Sequence, residues 1–593
     1  MSTERMLLSA EQFSGVAAGY GDAGAMAVLA AGQLAKRKTL LVMVLKAARD
    51  TPFAARVLAA AELVFRAEAA DEPAVAAVLA HPHLDAWANA CLHRLADHAG
   101  TGAAEGLEDV LGHLGSYAAA AAIAARLPFV IEVPTVDGAA GLPGLGTAPG
   151  LGAGWARVDS DGRAARITGA GGTTVDIDGP GWQPRRSVAL GDWRLAIEDQ
   201  DPYRHCYNWR PLPALSESRA EHLAKLLADA WRLIERDHPE HAEGLRHSLR
   251  SLVPLATPDN GVMISASSRR ACGSIATSIP DSAADLALLL IHEYMHAKLG
   301  ALLDLCELHS HSGPARLHAP WRLDPRPAGA LLQGIYAHAG VTDYWRMRRR
   351  SPDADTRRAA AQFAYWREMN RIAIEDLINS GELSPAGEYF ATVLRSTLHR
   401  WDTEEIAPDI AERTHLFVTA QTVRWLLLNA RADASEAERI LSHLRFGEPL
   451  GTIAERGGIA TERSARPADA PGLLGELHRW LDGDTAPVGP SGPDRGTAGA
   501  MLLADDAGGA ERACLARLDA DAGDEEAWIG LAVARTLAAG RKDRLDPTEA
   551  LVHRLLLHRP ELLRDAVFKL QQSDHPAAAS ELLKPKGVQV SNG

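Results

Sequence analysis

The stretch LALLLIHEYMHAKLGALLD, residues 286–304, decides how the chain is read. Apolar residues lie on nearly every side of it, so the spacing predicts a buried helix. Within it stands His292-Glu293-Tyr294-Met295-His296, an HExxH motif. Helical residues four apart share a face, so both imidazoles can point at one ion. Glu293 is turned by one position and can reach a metal-bound water. Unliganded polar groups are costly in such surroundings, so metal binding is the expectation and a structural histidine pair the alternative.

Just upstream, Ser282 followed three positions later by Asp285 resembles a capping box opening this helix. Two short strands are expected within 261–267 and 273–278, joined through Ser268-Arg269-Arg270 and ended by Pro280 and Asp281. Downstream comes a polar loop, 309–319, then Pro320-Trp321-Arg322-Leu323-Asp324-Pro325-Arg326-Pro327. Pro327 suits the first turn of a second helix running to about Arg350. Leu331, Ile335, His338, Thr342 and Trp345 fall along one stripe of that helix, and helices continue through Leu428.

Farther out, residues 1–128 read as an N-terminal helical region. His81, His83, His93 and His98 on it are taken as surface or hydrogen-bonded core histidines. Gly- and Pro-rich 134–154 reads as a loop, and 155–200 alternates apolar and polar residues between Asp-Gly and Gly-Gly turns, a β-meander signature. The expected organisation is a helical region at 1–128, a β-meander region at 129–212 and an HExxH catalytic helical domain at 213–454. A Gly/Pro-rich linker at 455–510 and a helical, tetratricopeptide-style region at 511–593 follow. The fold class is mainly α with a smaller antiparallel β portion, an α+β protein whose helical core carries the HExxH helix.

Composition narrows the function. A formal net charge of −14 without a long Lys/Arg stripe argues against nucleic-acid binding. Cys91, Cys206, Cys272, Cys306 and Cys514 are scattered with no CxxC pair, which fits a reducing cytosol and not a disulfide framework or zinc ribbon. Glu4, Arg5 and Glu11 interrupt any signal-peptide core, and the uncharged apolar runs are too short to span a bilayer. A cytoplasmic protein is expected.

A catalytic metal needs a third protein ligand and open positions. A metzincin would place Gly at 299 and His at 302, where this chain has Leu299 and Leu302. A thermolysin-like enzyme would place Glu near 316, which is Arg316, and no Glu occurs between Glu307 and Glu368. The standard peptidase patterns fail, although an atypical zinc peptidase stays open, with Glu293 as general base. His338 is the leading third ligand, with a hydrogen-bonded core histidine as its alternative. His309, His311 and His318 are loop alternatives; Gln333 and Asp343 are displaced around the second helix. Arg322 and Arg326 offer planar forks suited to an acidic cosubstrate or a peptide carboxylate. Equally, they can pair with Asp324 or Asp304 and fix the loop.

Four blocks carry a family resemblance. Ser265-Ala-Ser-Ser, then His292-Glu-x-x-His296-x-Lys-Leu-Gly-Ala-Leu-Leu-Asp304-Leu, then Ala319-Pro-Trp-Arg-x-Asp-Pro-Arg-Pro327, then Leu332-Gln-Gly-x-Tyr-Ala-His-x-Gly-Val-Thr342 resemble the HExxH-motif peptide-modification proteins. These are 2-oxoglutarate/Fe(II)-dependent peptide β-hydroxylases of ribosomally synthesised, post-translationally modified peptide (RiPP) biosynthesis. The blocks match in order and spacing over about 255–350, with looser likeness over most of 1–430. The chain lacks a CxxxCxxC, so it resembles a standalone member without the radical-SAM half. The resemblance implies an oxygenase using Fe(II) and 2-oxoglutarate on a ribosomal precursor peptide, one already modified by a radical-SAM maturase in some settings. It implies His292 and His296 as iron ligands, His338 as the third, and Arg322 or Arg326 gripping 2-oxoglutarate. Glu293 would bond a ligand or water instead of acting as a general base. Three neutral imidazoles depart from the common two-His-one-carboxylate set. The competing expectation is zinc, with peptidase chemistry.

Overall fold

The computed structural model describes residues 8–101, 106–259, 261–310, 313, 316–352, 354–454, 457–459, 473–483, 498–540, 545–573 and 578–583. The chain is mainly helical with small antiparallel and mixed sheets, the α+β class expected. It divides into two compact units, 1–307 and 308–593. The division falls inside the 213–454 segment, so the HExxH helix and the second-helix block belong to different units.

The first unit opens with six helices, among them Ala23–Ala48, Glu72–Leu79, Leu84–Thr101 and Leu107–Ala124. The run Ala118 to Ala122 is fully buried, because methyl-sized side chains let Leu107–Ala124 lie close against strand Pro128–Thr135. Gly112 makes room for a side chain of the neighbouring strand Gly154–Asp161. A Cβ there would sit 2.2 Å from the Trp155 ring, over which the Arg56 guanidinium stacks at 3.8 Å. Gly112→Ala is therefore expected to lower stability by about 1–3 kcal/mol, the usual range for overpacking, in denaturant unfolding of the full chain. An unchanged midpoint would show that the ring moves freely.

The expected meander strands form, but they do not make one meander. Gly154–Asp161, Ala165–Gly169 and Thr174–Asp176 join Pro128–Thr135 in a four-stranded antiparallel sheet. Ser187–Leu190 and Trp193–Ile197 enter a second, five-stranded sheet. Its centre is Ser251–Leu255, parallel to both Trp193–Ile197 and Ser274–Ser278. Ser265–Ser267 completes that sheet as an antiparallel edge strand. The expected loop at 134–154 contains a short strand pair, Ala140–Leu142 with Gly146–Ala148.

In the second unit, helices Ala328–Arg348, Thr356–Ile378, Pro385–Arg400 and Pro408–Asn429 follow one another, and Ala434–Phe446 leads on to the C-terminal helices. Buried side chains from Ala361 to Leu583 form one hydrophobic cluster, so the C-terminal helices share their core with the helices before them. The 455–510 segment is not all linker. It contains helices Leu473–Leu481 and Ala498–Leu503, with Leu477 fully buried in the same core. Most of the remainder lies outside the described residues.

One described helix, Ala283–Leu303, is long and apolar enough to cross a membrane by length and composition. Most of that apolar stretch (67%) is buried inside the protein, as in a core helix. All five cysteines are free thiols.

Candidate metal centre

Helix Ala283–Leu303 starts where expected. Ser282 has extended backbone and its Oγ accepts a hydrogen bond from the Asp285 N–H at 3.0 Å. The Asp285 carboxylate accepts from the Ser282 hydroxyl at 2.6 Å, so the two side chains close on each other. At the other end, Asp304 accepts from Gln33 at 3.0 Å and Lys36 at 2.9 Å, and pairs with Arg269. Burial opposes ionisation of Asp304, but these three donors outweigh it and hold its carboxyl below the usual range. The helix is also pinned along its side. Lys298 Nζ donates to the Gly19 and Tyr20 carbonyls at 2.6 and 2.7 Å, and Tyr294 fills the space left by Gly244.

With the helix fixed, the half-buried His292 and His296 lie side by side, ring centroids 4.8 Å apart and planes at 86°. Burial, then the neighbouring His296, lowers the His292 pKa to about 4, against a smaller opposing pull from Glu293. His292 is thus neutral at physiological pH, the form a metal ligand requires. Glu293 is buried, and one carboxylate oxygen accepts a 2.6 Å hydrogen bond from Ser265 Oγ. The edge strand Ser265–Ser267 packs on the helix and brings that hydroxyl there. The first unit thus brings His292, Glu293 and His296 together and adds Ser265, whose contact was not foreseen.

The other expected residues belong to the second unit. His338 Nδ1 lies 2.8 Å from the Gly334 carbonyl. A carbonyl only accepts, so Nδ1 carries a proton. The His338 ring stacks on Trp366 at 4.3 Å and lies 4.4 Å from Trp321. Gly334, one turn earlier, makes room for Trp321: a Cβ would meet that indole at 2.5 Å. Arg322 and Arg326 converge on Asp324, at 2.8 and 3.0 Å. Burial opposes ionisation of Asp324, yet both guanidinium groups hold its carboxyl low. Local pairing, one of the two alternatives for these arginines, is thus the arrangement present.

Among the loop alternatives, His309 bonds the Ser310 carbonyl at 3.0 Å. His318 is buried, with its ring 4.4 Å from that of Trp425. His311 lies outside the described residues. Asp343 pairs with Arg346 at 2.7 Å, while Gln333 is half-buried.

His81 and His83, expected as surface or hydrogen-bonded core histidines, occupy an unforeseen position. His81 and His83 are buried, and with Asp201 they bring three metal-type ligand atoms within 4.8 Å of one another. A His-x-His tripeptide at a helix start was the only sequence signal.

No protein-family model matches the chain, and a search of curated proteins finds no match.

Proposed function

We propose that the chain is an Fe(II)- and 2-oxoglutarate-dependent oxygenase that hydroxylates a β-carbon in a ribosomally made precursor peptide in the cytosol. The observation that carries this reading is the pair of adjacent imidazoles on a rigidly held helix, with His292 kept neutral. That donor set fits iron(II), which accepts imidazole nitrogen and retains positions for a bidentate 2-oxoacid. When bound, iron and 2-oxoglutarate would activate dioxygen, one oxygen atom going to the peptide carbon and the other to succinate as carbon dioxide leaves.

The chain's own part is positional. His292 and His296 would hold the ion through one ring nitrogen each. One Glu293 oxygen accepts a hydrogen bond from Ser265 Oγ, which fixes the carboxylate beside the imidazoles. That bond suits an orienting role for Glu293.

The test is anaerobic loading with iron(II), then exposure to oxygen, with succinate measured with and without 2-oxoglutarate. Succinate that depends on both supports the reading; peptide cleavage without succinate ends it. Glu293→Gln keeps an acceptor for Ser265, so turnover is expected to fall by about 10–100-fold, as for loss of an outer-shell partner, and not to vanish. Complete loss accompanied by zinc-dependent cleavage in the parent would favour the peptidase.

A further inference from the structure

We propose that His81, His83 and Asp201 form a second metal site, one that takes a divalent transition ion of the zinc class, independent of the HExxH pair. His81 and His83 flank Pro82 in the turn between helices Glu72–Leu79 and Leu84–Thr101. Asp201 comes from the loop after strand Trp193–Ile197. All three are buried.

The geometry is that of ligands around a gap. His81 Nδ1 lies 3.8 Å from Asp201 Oδ2, and His83 Nδ1 lies 3.9 Å from Asp201 Oδ1. Both separations exceed a hydrogen bond. Ligands at about 2.1 Å from one zinc ion stand about 3.0–3.4 Å from each other, so closing on an ion needs only small movements. His83 Nδ1 has no hydrogen-bond partner, although His83 is wholly shielded from solvent. An orphaned buried nitrogen is costly, and a bound cation removes that cost.

Each imidazole is held from its far nitrogen. His81 Nε2 is 3.3 Å from Glu198 Oε2, and His83 Nε2 is 3.1 Å from the Tyr207 hydroxyl. A carboxylate only accepts, so neutral His81 has its proton on Nε2 and its lone pair on Nδ1, facing Asp201. This is the outer-shell arrangement that orients metal-binding histidines. Arg185, 3.1 Å from Glu198, balances the Glu198 charge and leaves that of Asp201 for the ion. Asp201 is itself positioned: its Oδ1 accepts from the Tyr203 N–H at 2.7 Å. The nearest competitor for His81 Nδ1 is the Tyr117 hydroxyl, at 3.5 Å.

A cavity of about 30 Å³, lined in part by His81, His113, Glu198 and Asp201, reaches the group. That is room for one or two waters, enough to complete a coordination shell around three protein ligands. Two imidazoles and one carboxylate suit zinc, iron(II) or cobalt(II) more than magnesium or calcium.

The full-length His292→Ala/His296→Ala variant, stripped with chelator and titrated with zinc(II), separates the two sites. About one equivalent is expected to bind. Adding Asp201→Asn or His83→Gln should weaken that binding by at least about 100-fold, and Glu198→Gln by about 10-fold. No binding by the double variant while its far-UV circular dichroism matches wild type would overturn the proposal. So would an equivalent that persists undiminished in Asp201→Asn. If the Asp201 and His83 variants fail to fold, X-ray absorption of the cobalt(II)-loaded double variant decides. Two imidazole nitrogens support the site; a shell without imidazole refutes it.

Discussion

Replacing His296 with alanine should strip iron from the HExxH helix and lower 2-oxoglutarate-dependent succinate formation by at least about 100-fold, the upper end of what loss of a mere outer-shell partner costs. The helix itself should survive. Alanine has the highest helix propensity, and the helix is held by its Ser282 cap, by Asp304 and by Lys298, none of which involves the imidazole. Far-UV circular dichroism should therefore match wild type while iron stoichiometry falls. His292→Ala should behave alike, because either change leaves one imidazole where the site needs two. Under the second-site proposal, zinc titration of either variant should still find the equivalent assigned to His81, His83 and Asp201. Retention of iron and of turnover by His296→Ala would remove the basis for the functional reading.

The parts legible in sequence are those whose cause is local. The HExxH helix announces itself through its apolar run and the Ser282 cap, and both imidazoles follow from a spacing of four. Strands 154–161, 165–169 and 193–197 follow from alternation and turn residues. Their partition into two sheets depends on which distant strand each one pairs with, and alternation does not encode a partner. Ser251–Leu255 escaped notice because it is buried on both faces, so alternation is absent, and Pro254 argues against a central strand. Helix Leu473–Leu481 is apolar on one face, but its flanks have linker composition. The His81–Glu198 contact spans 117 positions, and nothing in either segment names the other. Ser265 is similar: its bond to Glu293 exists because an edge strand packs on the helix, a tertiary event.

Acid should unfold the first unit of the metal-free protein far more readily than exposed histidines would cause. Burial, followed by the electrostatic influence of neighbouring His81, lowers the pKa of both His83 and His113 to about 3. In the unfolded chain each returns to about 6.5. Below 6.5 the unfolded state therefore binds protons that the folded state refuses until about pH 3. The stability from these two groups is complete above pH 6.5, falls as pH drops from 6.5 towards 3, and changes no further below that. Between pH 7 and 4.5 each group should cost about 2–3 kcal/mol, a large share of the stability of an ordinary domain. His113 isolates the effect, since it stands outside both proposed ligand sets. Its ring is buried among Trp87, Tyr117 and Tyr203, and its Nε2 has no hydrogen-bond partner. Phenylalanine keeps the ring and discards the proton site. In His113→Phe, hydrogen exchange of helix Leu107–Ala124 should match or exceed wild-type protection at pH 7. With intrinsic exchange corrected for pH, it should then lose about one proton's worth of slope on acidification. A slope identical to wild type would mean that His113 is already charged in the fold, and that burial does not govern its titration.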